Sequence, residues 1–104
     1  MSLKDELDPV AILTKFGIVE PISVTIQQGG SDTAVWRVEQ ADKVVALRVF
    51  HPEDQSFYEV EQIAMRIAAK ANLPVPQVLA AEIWHDYPAL LLSWCPGRTL
   101  GEQL

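Results

Sequence analysis

The sequence predicts an α+β fold: a five-stranded antiparallel sheet with one main helix between strands 3 and 4, plus a short N-terminal helix. Three observations carry that expectation. Short runs rich in apolar and β-branched residues alternate with glycine-rich or polar turns over residues 23–50. A stretch free of Gly and Pro then extends from Ser56 to Ala71, as a helix requires. Two further apolar runs follow, ending at Trp84 and Trp94. The order β-β-β-α-β-β reads as one domain over residues 1–104, with helices on one face of an antiparallel sheet.

The elements follow in order along the chain. Asp8 is placed to cap a short helix, with Pro9 as its first residue and Gly17 as its stop. Ser23–Gln28 (SVTIQQ) reads as a strand, and Gly29-Gly30-Ser31-Asp32 as the turn after it. Val35–Glu39 (VWRVE) returns, completing a hairpin with a glycine-rich tip, and Lys43–Phe50 adds a third strand beyond the Ala41-Asp42 turn. Ser56 and Glu59 have the Ser-x-x-Glu spacing of a capping box at a helix start, and Asn72 with Pro74 ends that helix. Pro74-Val75-Pro76 is an extended connector. Gln77–Trp84 and Ala89–Trp94 read as strands around a His85-Asp86-Tyr87-Pro88 turn. Pro96-Gly97 closes the sheet, and 99–104 resembles the first turn of another helix.

Composition narrows the function classes. The chain has 104 residues, 49% hydrophobic, with a net charge of −6, which argues against a nucleic-acid partner needing a basic face. Its longest apolar run near the C-terminus, Ala89–Trp94, is far short of the roughly 20 residues of a membrane span. The acidic start MSLKDELDP has no apolar core of a secretory signal. One cysteine, Cys95, excludes an internal disulfide framework or a cysteine zinc cluster, and no basic neighbour marks it as a nucleophile. The expectation is an acidic, soluble, cytoplasmic domain. His51 and His85 read as solvated turn residues, and Trp36, Trp84 and Trp94 as core or interface positions.

One stretch resists this plain reading. In Val44-Val45-Ala46-Leu47-Arg48-Val49-Phe50, six of seven residues are apolar and Arg48 is not. On a helical wheel at about 100° per residue, Gln62, Arg66, Glu59 and Lys70 of the following helix gather on one side. Ile63, Ile67, Val60, Ala71, Ala64, Phe57, Ala68 and Met65 occupy the opposite arc, and Glu61 falls inside it. A buried charge is costly unless paired, so Arg48 and Glu61 are expected to meet across the strand–helix interface, within about 4 Å. The alternative is that Arg48 snorkels to the sheet edge and Glu61 marks the rim of the apolar arc.

Four segments taken together, GGSDTAVWRV, VVALRVF, EQIAMRIAAKANLPVPQVL and PALLLSWCPGRTL, resemble the N-terminal lobe of the protein-kinase-like fold. The closer likeness is to the aminoglycoside phosphotransferase/choline kinase-type small-molecule kinases, over most of the chain from about Ser23. The resemblance implies a lobe that clamps ATP while a C-terminal lobe, absent here, supplies the catalytic residues and the Mg ligands. It implies that Arg48 stands where a lysine usually contacts the nucleotide phosphates, with Glu61 holding that cation in place. It places Gly29, Gly30 and Ser31 at the phosphate-covering loop, where backbone N–H groups can approach phosphate. Backbone groups of Ser93 and Cys95 would meet the adenine edge, and Leu92 would line the back of that pocket. The acceptor would be a small hydroxylated molecule. The chain departs from the family in its Arg48 for lysine, in Asp32 within the phosphate loop, and in lacking a full G-x-G-x-x-G. Those departures keep open a non-catalytic remnant or interaction module, and an unrelated α+β sensor with a purely structural pair. A surface left bare near Trp94 would favour self-association into a homo-oligomer.

Overall fold

The computed structural model describes residues 7–21, 23–27, 33–73 and 75–94. They form helix α1 (Pro9–Lys15), strands β1 (Ser23–Ile26), β2 (Thr33–Glu39) and β3 (Val44–Phe50), helix α2 (Gln55–Lys70), and strands β4 (Val78–Trp84) and β5 (Tyr87–Ser93). The strands make one antiparallel sheet in the order β1-β2-β3-β5-β4, so the expected α+β class holds. The glycine tip at 28–32, Cys95, the Pro96-Gly97 closure and the C-terminal helical turn lie outside the described residues.

The helix ends follow from local chemistry. The Asp8 carboxylate accepts hydrogen bonds from the backbone N–H groups of Val10 (3.1 Å) and Ala11 (3.4 Å), and Pro9 follows where no donor is needed. At the other end Gly17 takes φ +85°, and the N–H groups of Ile18 and Gly17 donate to the carbonyls of Leu13 and Thr14, a Schellman ending. The same ending closes α2, with Asn72 at φ 61° and the N–H groups of Leu73 and Asn72 donating to Ala68 and Ala69. The start of α2 differs from expectation. A 3-10 turn at Pro52–Asp54 leads directly into the helix at Gln55, Asp54 occupies the N-cap without a side-chain bond, and no capping box forms. The Glu59 carboxylate instead accepts from the Gln55 side chain at 3.4 Å, one turn away.

β4 and β5 are joined by a tighter turn than the sequence suggests. Only His85 and Asp86 lie between them, both with positive φ (45° and 70°), while Tyr87 and Pro88 already belong to β5. Two left-handed residues match the twist of a two-residue hairpin, and Asp tolerates that conformation. β4 carries a register irregularity between Val78 and Ala80, which suits an edge strand.

The helices do not share one face of the sheet. Alternation along β3 sends Val45, Leu47 and Val49 one way and Ala46, Arg48 and Phe50 the other. The first set packs with Ile12 and Leu13 of α1, with Trp36 and Val38 of β2, and with Ala89 and Leu91 of β5. The second set packs with Tyr58 and Met65 of α2 and with Leu90 and Leu92 of β5. One helix thus covers each face, which is why β3 and β5 are apolar almost throughout.

The left-handed stop of α1 yields a direct test. A Cβ added at Gly17 would meet nothing within 4 Å, so the cost of Gly17→Ala is conformational alone. Chemical denaturation should show a loss of about 1 kcal/mol.

Candidate functional site

The face shared with α2 is where polar chemistry collects. In register, Val35 of β2, Arg48 of β3 and Leu90 of β5 lie side by side, and Arg37, Ala46 and Leu92 form the next row. Phe50, Tyr58 and Met65 pack on the same side of the sheet. Phe50 and Tyr58 meet edge to face, with centroids 5.8 Å apart, and the Arg48 guanidinium carbon lies 5.1 Å from the Phe50 ring centre.

Arg48 and Glu61 do meet: Arg48 Nη2 lies 2.9 Å from Glu61 Oε1, with side chains 19% and 29% exposed. The contact uses one atom of each group. Arg48 Nε and Glu61 Oε2 are buried without a hydrogen-bond partner, where a bidentate pair would have engaged both sides. Burial lowers the Arg48 pKa from its ordinary value, and the neighbouring Glu61 charge only partly opposes that. Burial likewise raises the Glu61 carboxyl above its ordinary value, against the pull of Arg48. At each partner desolvation outweighs attraction, so the pair holds two charges that solvent would hold more cheaply.

The apolar arc expected to bury Glu61 is not the face that packs. Tyr58 is the buried residue of α2, with Glu61, Gln62, Met65, Ala68 and Ala69 partly covered. Phe57, Val60, Ile63, Ala64, Ile67 and Ala71 are exposed. Helix and sheet therefore meet along one flank of the expected arc, and Glu61 sits on that flank. The pairing survives this rotation because Glu61 borders both faces.

Two charged residues that the motifs did not single out share this face. Arg37 lies 3.4 Å from Glu39, which also accepts from the Ser23 hydroxyl, and its guanidinium sits 5.6 Å from the Trp94 ring centre. Strand alternation puts Arg37 on the same side as Val35, but only the β2–β3 register shows that this is the side of Arg48. Trp94 is half-buried beside Leu92 and so combines packing with a cation contact.

At the end of β5, Ser93 is already engaged through two groups. Its N–H donates to the Gln77 carbonyl (2.9 Å), and its hydroxyl accepts from the Gln77 N–H (2.8 Å). Leu92 is fully buried on the α2 side of the sheet. Gly29, Gly30, Ser31 and Cys95 cannot be placed, since they lie outside the described residues. His51 is half-buried with Nδ1 3.7 Å from Glu53, while His85 is exposed and its ring lies 4.3 Å from that of Trp84. Neither histidine reaches Arg48's face by any contact among the described residues. No cluster of three or more His, Cys, Asp or Glu suited to a metal occurs among them, and no helix among them is long and apolar enough to cross a membrane.

A family model described as "phosphotransferase enzyme family" matches residues 23–104, which takes in every strand of the sheet and α2. No curated protein matches the chain.

The pair itself generates two expectations. Glu61→Ala leaves the Arg48 charge without its partner and should cost about 2 kcal/mol, less than the roughly 3–5 kcal/mol of fully buried pairs because both side chains retain some solvent. Replacing both, as Arg48→Met with Glu61→Leu, should restore most of that loss in denaturant unfolding. The pH dependence has a fixed sign. With the folded carboxyl raised above 4.5, its stabilising contribution is full below pH 4.5 and is lost as pH rises through the raised value. The stability of the wild type relative to Glu61→Gln should therefore fall as pH rises through that window.

Proposed function

We propose, from the premise that the chain belongs to the phosphotransferase enzyme family, that it is the ATP-binding lobe of a kinase acting on a small hydroxylated molecule. The observation that carries this reading is a cation fixed on a largely apolar face at a cost in desolvation. A fold stabilised by packing alone has no use for Arg48 there, whereas a site for a polyphosphate has. Glu61 engages the guanidinium through Nη2 alone, which orients it, and the part of the side chain still exposed is what a phosphate would reach.

The surrounding residues fit a nucleotide in kind. Val35, half-buried in the row of Arg48, would offer a purine ring an apolar contact, with Ala46 and Leu92 fully buried in the next row behind it. The Ser93 N–H is committed to Gln77, so an adenine amino group would donate to the Ser93 carbonyl. Cys95, two residues on, would supply the second backbone contact of that edge. The Gly29-Gly30-Ser31 tip, which connects β1 to β2, would close over the phosphates with backbone N–H groups. Phosphoryl transfer works by positioning and charge stabilisation, which is the service this lobe would render. The attacking hydroxyl's base and the Mg ligands would come from a second, C-terminal lobe, and the setting would be the cytoplasm.

In this reading Arg48 neutralises phosphate charge as the transferred group departs, and Glu61 fixes the angle at which it does so. Arginine in place of lysine keeps the charge and adds a planar fork. The same departure favours the competing reading, a kinase-like scaffold that no longer binds nucleotide.

Calorimetry with Mg-ATP separates the two. The 104-residue chain should bind weakly, and Arg48→Met should weaken binding about 10- to 100-fold, the worth of a charge-assisted hydrogen bond. Arg48→Lys should retain most of the affinity. The isolated chain should transfer no phosphate. Absence of both heat and a thermal shift would favour the scaffold instead.

A further inference from the structure

We infer that the outer face of α2 is a self-association surface, on which a second copy of this chain packs its own α2 in antiparallel orientation. Phe57, Val60, Ile63 and Ile67 are each 58–64% exposed, an unusual concentration of large apolar side chains on one helix. Phe57, Val60, Ala64, Ile67 and Ala71 follow one another at alternating spacings of three and four. That is the seam of two helices crossing at a shallow left-handed angle, about +20°. Ala64 and Ala71 sit within the seam, where small side chains let two helices approach closely.

The seam is open to a partner. On the helical wheel it centres about 110° from the flank bearing Tyr58, Glu61 and Met65, which rests on the sheet. The sheet therefore does not obstruct a second helix. Ile63 widens the stripe on its solvent side, and beyond it lie the exposed charges Glu59, Arg66 and Lys70.

Charge selects both the partner and the direction. The acidic residue of that flank, Glu59, lies near the N-terminus of α2, and the two basic ones lie in its second half. In antiparallel pairing, like flanks of the two helices adjoin. A two-fold axis between Ile63 and Ala64 sets Val60 of each copy against Ile67 of the other. It also brings each Glu59 within the span of the other copy's Arg66 and Lys70. A parallel pair would instead face this charged flank against the Glu61–Ala68 flank, and Glu61 is already engaged by Arg48. The 16-residue helix is about 24 Å long, so the contact is small and the dimer weak.

Sedimentation equilibrium of the full 104-residue chain tests this between about 10 µM and 1 mM. The expected result is a reversible monomer–dimer equilibrium that Ile67→Glu weakens at least about tenfold, with circular dichroism unchanged, and melting unchanged at concentrations where the wild type is monomeric, because Ile67 is exposed. Glu59→Lys should also weaken it, and adding Lys70→Glu to that variant should recover it. A monomer throughout overturns the proposal and leaves the face for another partner. Association that survives Ile67→Glu, or that a substitution at Trp94 alone abolishes, overturns it equally. Indifference to the charge exchange overturns the antiparallel arrangement.

Discussion

The structure turns on one constraint: the central strand carries a guanidinium that must stay charged while both faces of its sheet are covered. Arg48 can be accommodated only if a carboxylate reaches it from the covering helix, and Glu61 does so at 2.9 Å. That contact fixes which flank of α2 turns inward. Tyr58 and Met65 lie beside it and pack on Phe50, Leu90 and Leu92, so the polar pair and the apolar contacts agree on one orientation. The orientation leaves Val60, Ile63 and Ile67 outside, although hydrophobic matching alone would have turned them in. A buried ion pair contributes little net stability, but a wrong rotation would strand both charges.

The two faces of the sheet divide the work. On the α1 side Ile12, Leu13, Val38, Leu47 and Val49 form a dry core whose composition needs no further explanation. On the α2 side the core is smaller and mixed, with Arg48, Glu61 and the Arg37–Glu39 pair among the apolar residues. Stability can therefore reside on one face while the other bears the desolvation cost of holding charge. The chain belongs to the phosphotransferase enzyme family, and the proposed use of Arg48 toward a polyphosphate needs such a division.

Much of this was legible in the sequence, for identifiable reasons. Asp8-Pro9 and Gly17 act through backbone chemistry of neighbouring residues, so their reading survived intact. The Arg48–Glu61 contact was visible because each residue violates the pattern around it, and paired violations point to each other. Readings that needed tertiary information fared less well. The wheel showed an apolar arc on α2 but not that part of it stays in solvent, because a pattern records hydrophobicity and not the partner. Ser56 and Glu59 have the spacing of a cap, yet the Pro52–Asp54 turn starts the helix before them. The placement of α1 and α2 on opposite faces depends on strand alternation combined with register, as does the position of Arg37 on the Arg48 face. Neither register nor the handedness of a chain crossing is written in local spacing.

The central claim is that Glu61, besides orienting α2, holds Arg48 in place for a polyphosphate. The most direct measurement is the Nε–H resonance of Arg48 in the nitrogen–proton spectrum during titration with Mg-ATP and, separately, with adenosine. The account predicts a saturable shift of that resonance with Mg-ATP and none with adenosine, which lacks the phosphates. A resonance that Mg-ATP leaves in place, or that adenosine moves as far, would contradict it.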